Sequence, residues 1–305
     1  MEMKIQLHMH TTESRGTRIK YDSIITPKKA VDTLKKGGFA AFAVTDHNTT
    51  TAFHKIEDYA KKNGLILIKG IEVNTADGHL IGLGIHEGIE KNLKRTMSAL
   101  EVGDIIKESG GYVYVPHPFD IKREGLGRKI KEVEGIVEVF NSMNIYGFED
   151  KYARYFAKKF GRPIAAGADA HMLSMLDLGT IIVNSEPEEH SILKSIVKGK
   201  VKLENCNYIT LRNFKELSLN RIFASYSDIM KKIVNGWEID SKYMIIANNR
   251  LMRRIEKIVL NKGMKTKESN FWYLITHMSN FIANFYGNFT KIKYNNFILN
   301  ELQPL

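Results

Sequence analysis

The chain has 305 residues, 43% of them hydrophobic and 26% charged, a profile that excludes a disordered or fibrous protein and fits a soluble globular one. Its single cysteine, Cys206, excludes an internal disulfide and suits a reducing cytosol; with no apolar run near ~18 residues and no leader-like start, we expect a cytoplasmic protein without a transmembrane segment or signal peptide. The net charge of +11 favours an anionic partner, and +8 of it lies from Leu211 onward, where 15 basic residues stand against 7 acidic ones.

Residues 3–9 read as a strand that runs into Leu7-His8-Met9-His10. The two-residue period of a strand turns both imidazoles to one face. Thr26-Pro27 opens a helix, Thr as N-cap and Pro in the first turn, and Gly37-Gly38 stops it. Phe39 to Thr45 is a continuous apolar run, expected of a strand buried on both faces, and it ends at Asp46-His47-Asn48. A helix over 51–62 leads to the buried strand LILIKGIEV, which carries Glu72, and Gly78-His79 leads the short strand LIGLGI. A helix over 92–108 precedes the strand Tyr112 to Val115, which ends in Pro116-His117-Pro118. Then come a short helix near 126–132, a strand from Ile136 to Phe140 followed by Asn141, and a helix over 148–160. The strand Pro163 to Ala168 ends in Asp169-Ala170-His171. A strand from Thr180, a helix over 187–198 and a short strand over 201–204 complete the pattern.

Repeated strand–helix–strand units predict parallel strands with helices packed outside, about seven of them in the core. An open doubly wound sheet would show a glycine-rich phosphate turn after its first strand, and none is present. The expected fold is therefore α/β, a closed or nearly closed barrel. His8, His10, His47, Glu72, His117, Asn141, Asp169 and His171 all fall at the ends of expected strands, which a barrel gathers at one mouth. With His79, six imidazoles and two carboxylates collect there, donors suited to zinc, manganese or iron. Any one of these histidines alone reads as a structural residue; together they predict a metal site.

These residues resemble the motifs of the polymerase and histidinol phosphatase (PHP) family of metal-dependent phosphoesterases. The motifs are HMHT at 8–11, TDHN at 45–48, GIEV at 70–73, DGH at 77–79, PHP at 116–118, EVFN at 138–141 and ADAH at 168–171. The resemblance covers residues 3–205 and implies a distorted (β/α)7 barrel over residues 1–208. It implies that His8, His10, Glu72 and Asp169 hold one metal. Glu72, His79 and His117 would hold a second, with Glu72 as the bridge, and His47 and His171 would face a third position. The pattern departs at one point. Relatives continue with x-x-Ser-Asp-Gly or a nearby His, whereas this chain reads Thr12-Glu13-Ser14-Arg15-Gly16. We therefore expect two tight divalent ions (zinc, manganese or iron) and a weak or absent third, with Glu13 as the substitute ligand in reach. Arg15 offers a planar fork for a pair of phosphate oxygens.

The expected chemistry follows from those ligands. Two cations sharing Glu72 would share a water and lower its pKa, and the bridging hydroxide would attack phosphorus. His171 or His47, if free of a third metal, would serve as general acid. Asn141 would donate to phosphate or orient a ligand. The expected function is hydrolysis of a phosphate ester, with a phosphorylated small molecule or nucleotide as substrate. Two other readings stay open: a nuclease acting on single-stranded RNA or DNA ends, and a non-catalytic scaffold.

From about residue 211 the alternation stops, and helical spacing runs over 216–234, 241–261 and 268–286. Residues 209–305 are expected to form a mostly helical, basic C-terminal region. Arg250, Arg253, Arg254 and Lys257 share one helical face, either simply solvated or suited to nucleic acid.

Overall fold

A computed structural model describes residues 1–15, 22–120, 125–144, 147–210, 212–214 and 216–217. The expected C-terminal helices and the basic face at 250–257 lie outside the described residues. In chain order the elements are β1 (Glu2–Gln6), α1 (Pro27–Lys36), β2 (Ala41–Val44), α2 (Ala52–Lys62), β3 (Ile66–Asn74), β4 (His79–Leu83), α3 (Ala99–Glu108), β5 (Tyr112–Val115), β6 (Ile136–Asn141), α4 (Phe148–Lys159), β7 (Ile164–Gly167), β8 (Gly179–Asn184), α5 (Glu189–Val197) and β9 (Val201–Cys206). The helix expected over 92–108 begins only at Ala99. Ser98 accepts from the Glu101 amide and Glu101 accepts from the Ser98 amide, a reciprocal cap that fixes the start there. Residues Ile89–Asn92 form a separate 3-10 turn.

The strands form one sheet in the order β7-β6-β5-β4-β3-β2-β1-β8-β9. The pairs β1–β2, β2–β3, β5–β6 and β6–β7 are parallel, as the alternation predicts. β4 runs antiparallel to both β3 and β5, and β8 antiparallel to β1 and β9. The β3–β4 link explains the first exception. It spans only residues 75–78, far short of the dozen or so residues that a parallel crossover needs. Thr75 closes that turn by donating both its amide and its hydroxyl to the Gly78 carbonyl.

The sheet curls until β1 meets β7, so that β1 to β7 make a nearly closed, seven-stranded barrel. Beyond the ends of both strands, Met9 bridges Ala170; the His10 amide donates to the Ala170 carbonyl (2.9 Å) and the Ala170 amide to the His8 carbonyl (3.2 Å). Gln6 fills the seam below. Its side-chain oxygen accepts from the His8 and Ala168 amides, and its side-chain nitrogen donates to the Leu176 and Gly179 carbonyls. One fully buried side chain therefore does the work of a missing stretch of ladder. Gln6→Leu would strand these four buried backbone groups. Each costs about 1–3 kcal/mol when orphaned, so the variant is expected to melt on the order of 10 °C or more lower. An unchanged melting temperature would show that the seam does not need Gln6.

The core has an inside and an outside. In β2, Ala41 and Ala43 face the barrel interior with Ile5, Ile68, Ile81 and Tyr114, while Phe42 and Val44 pack outward with Val31, Leu34 and Ile56 of α1 and α2. A third group joins Val102 and Ile106 of α3 and Phe156 of α4 to β3, β4 and β5. Leu217, past residue 208, is buried in the group that contains Phe42. No helix among the described residues is long and apolar enough to cross a membrane.

Candidate metal centre

His8 and His10 extend β1 past its last ladder residue, with no exposed surface, and their Nε2 atoms lie 3.2 Å apart. Glu72 sits near the end of β3. Its amide donates to the Asp46 carbonyl and its carbonyl accepts from the Asn48 amide, a bridge that sets His47 beside it. His79 opens β4 opposite Asn74. His117 follows β5, and Asp169 and His171 follow β7. The strand-end residues named from the sequence thus converge at one mouth. Asn48, His117 and Asp169 are the non-glycine residues with positive φ among those described (52°, 26° and 49°). Such backbone costs about 1–3 kcal/mol per residue and persists where packing enforces it.

Glu72 is the centre of the constellation. It is 1% exposed, and its two oxygens face different sets of imidazoles. Oε2 lies 3.2 Å from His8 Nε2, 3.0 Å from His10 Nε2 and 3.6 Å from His47 Nε2. Oε1 lies 2.8 Å from His79 Nδ1 and 3.2 Å from His117 Nε2. Asp169 Oδ1 completes the first side, 3.4 Å from His8 and 3.3 Å from His10.

A third cluster contains a residue that the sequence motifs do not reveal. Asp22 Oδ2 stands 3.3 Å from His171 Nε2, 3.7 Å from His10 Nδ1 and 3.9 Å from His47 Nε2. Ser23 anchors it, donating to the carbonyls of His10 and His171, and the Ile24 amide donates to His171. An anionic group therefore occupies the region where the motif comparison left a gap. Glu13 is turned away, its carboxylate 2.6 Å from Lys55 Nζ. Arg15 is exposed, and its amide donates to the His47 carbonyl. Asn141 is fully buried; its amide nitrogen donates to Glu138 Oε2 and its side-chain oxygen accepts from the Met143 amide. The Asn141 side chain is thus committed inside the protein rather than presented to a substrate.

The charge balance is tight. Burial alone would strip the His8 proton, but Asp169, Glu138 and Glu72 overcome it and hold the imidazole well above its ordinary range. His10 is likewise carried, against burial, to about 10 by Asp169, Glu72 and Asp22. Burial drives His47 down to about 3, against the pull of Glu72, with neighbouring His10 adding to the depression. Glu72 and Asp22 are both lowered well below the carboxylate range, because the surrounding imidazoles outweigh burial. This is an anion-and-imidazole cage that binds positive charge, as protons or as a divalent cation.

The residues fit such a cation. Donor atoms of His8, His10 and Glu72, of His47, Glu72 and His79, and of His10, Asp22 and His47 form groups lying within 4.8 Å of one another. His47 and His117 both turn Nε2 toward Glu72, while their buried Nδ1 atoms have no hydrogen-bond partner among the described residues. No thiolate is near, so the donor set is nitrogen and oxygen throughout.

Comparison with known proteins points to one family. The model of the PHP domain matches residues 6–296. An uncharacterized protein of Methanocaldococcus jannaschii is 34% identical over 156 residues, which span 50% of this chain and 89% of that protein. A 5'-3' exoribonuclease of Haemophilus influenzae is 28% identical over 132 residues, 39% of this chain and 44% of that protein. Among solved structures, a two-domain protein from Bacteroides vulgatus, described as containing a predicted PHP-like metal-dependent phosphoesterase, aligns with a TM-score of 0.56 at 17% identity. That alignment covers 74% of this chain and 70% of the other and speaks to the fold.

Proposed function

The chain belongs to the PHP family of metal-dependent phosphoesterases, and from that premise we propose that it hydrolyses phosphate esters, with a small phosphomonoester or a nucleotide as substrate. The observation that carries the reading is the Glu72 carboxylate, buried and shared between imidazoles on both of its oxygens. In this reading His8, His10, Glu72 and Asp169 hold one divalent ion, and Glu72, His79 and His117 a second. His47, His171 and Asp22, with His10 beside them, form a third position. Zinc, manganese and iron all suit this nitrogen-and-oxygen set. When bound, such ions lower the pKa of a coordinated water and neutralise charge on phosphoryl oxygens.

The residues divide the remaining work. Arg15, exposed beside His47, is the cation set to meet phosphate oxygens. His47 is neutral at ordinary pH, so it serves as a ligand rather than as a proton donor. His171 lies 2.7 Å from the Asp169 carbonyl through Nδ1. A proton held on Nδ1 turns its Nε2 toward Asp22 as a lone pair, again the arrangement of a ligand. Neither arrangement presents a proton to a leaving group, so in this reading both imidazoles act as ligands.

The test is a panel of phosphomonoesters and nucleotides assayed with zinc, manganese or magnesium, alongside an end-labelled single-stranded oligonucleotide. Turnover of a monoester with bound metal is the expected result; no turnover of any ester with any metal would leave only the scaffold reading. The similarity to the exoribonuclease favours a second reading, a nuclease acting on single-stranded ends. In that case the oligonucleotide is shortened from one end and the monoesters are spared.

A further inference from the structure

Beneath the cage lies a buried carboxylate that none of the metal groups includes. Glu138, in the middle of β6, is 1% exposed and accepts from four donors. Oε1 is 2.9 Å from His8 Nδ1 and receives the Tyr114 hydroxyl at 2.7 Å. Oε2 receives the Asn141 side-chain amide at 2.7 Å and the His117 backbone amide at 2.6 Å. Three of the donors come from other elements: the β1 extension, β5, and the turn after it. Space is made for the carboxylate by Gly167, whose missing Cβ would collide with Glu138 Oε1 and lie 2.7 Å from His8 Cβ.

We infer that Glu138 is a positioning residue that fixes the tautomer and tilt of His8 and so sets the affinity of the first metal group. The inference rests on the reading of His8 as a ligand. An imidazole has two nitrogens, and the partner of one decides what the other does. A carboxylate only accepts, so the Glu138 contact requires a proton on Nδ1. The Nε2 lone pair is then left facing Glu72 Oε2 and Asp169 Oδ1, where a cation is held. Such outer partners typically change metal affinity by about 10–100-fold. The same carboxylate receives the amide of His117, a residue with positive φ, so one group steadies an imidazole on each side of Glu72.

Glu138→Gln tests this with little change of shape. The amide nitrogen must point at one of two pairs of donors, and on the His8 side it forces Nδ1 to accept and Nε2 to carry the proton. Zinc binding is measured by chelator competition, and the His8 tautomer by long-range nitrogen–proton spectra of the zinc-loaded protein. The expected result is a proton on His8 Nδ1 in the wild type, and zinc bound about 10–100-fold more weakly by the variant. Tyr114→Phe removes one donor but keeps the carboxylate, and is expected to stay close to wild type. Wild-type affinity in a folded Glu138→Gln protein would overturn the inference. A wild-type His8 protonated on Nε2 with zinc present would overturn it without any variant, which covers a substitution that fails to fold. Failure of the wild type to bind zinc at all would instead overturn the metal reading, and this inference with it.

Discussion

Glu72→Gln is expected to abolish phosphoester hydrolysis, a fall of about 10³-fold or more, while the barrel stays folded. The Glu72 carboxylate offers each of its oxygens to a different set of imidazoles. Oε2 addresses His8, His10 and His47; Oε1 addresses His79 and His117. The substitution keeps the shape but replaces one acceptor oxygen with an NH₂ group. Whichever way the amide turns, one set of imidazoles faces hydrogens instead of a lone pair, and the shared negative charge is gone. The backbone of residue 72 stays tied to Asp46 and Asn48, so the strand end has no reason to move. Metal analysis should show fewer bound ions per chain, and circular dichroism an unchanged fold. Retained turnover in the variant would mean that the reaction does not run through a shared carboxylate.

The parts of this site that were legible in the sequence are those written locally. A His-x-His pair on a strand extension, and histidines and carboxylates at successive strand ends, follow from period and position alone, and the structure brings them within contact. The direction of β4 was not legible from alternation, although the four-residue link at 75–78 was a signal of a hairpin. Glu138 left a trace as well: one charged residue inside the apolar run IVEVF, on a strand buried at every position. A carboxylate there needs several donors, which points to a polar network inside the barrel. Asp22 left none. It lies twelve residues beyond His10, in a segment outside any regular element, and reaches the cage only because Ser23 and Ile24 bond to the backbone at His10 and His171. Contacts between residues about 150 apart decide that placement, and no spacing rule encodes them.

Asp22→Asn is accordingly expected to weaken the third position selectively, by about 10-fold or more, and to leave two ions bound. Asp22 faces His171, His10 and His47 through one oxygen, and these imidazoles, His171 foremost, hold its carboxyl well below the usual range despite burial. It is therefore an anion at neutral pH, and the pH dependence of this cluster near neutrality comes from the imidazoles. The sign follows. His10, held at about 10 in the metal-free protein, carries a proton at pH 7. A divalent ion must displace it, so binding releases protons and affinity falls as the pH is lowered. Removing the Asp22 charge lowers the proton affinity of His10, so the variant should release fewer protons when it binds. Calorimetric titration with manganese or zinc in buffers of different ionisation enthalpy reads both quantities, the number of ions and the protons released. If the variant binds as many ions as the wild type and only the proton release falls, Asp22 is a counter-ion to the imidazoles and not a ligand.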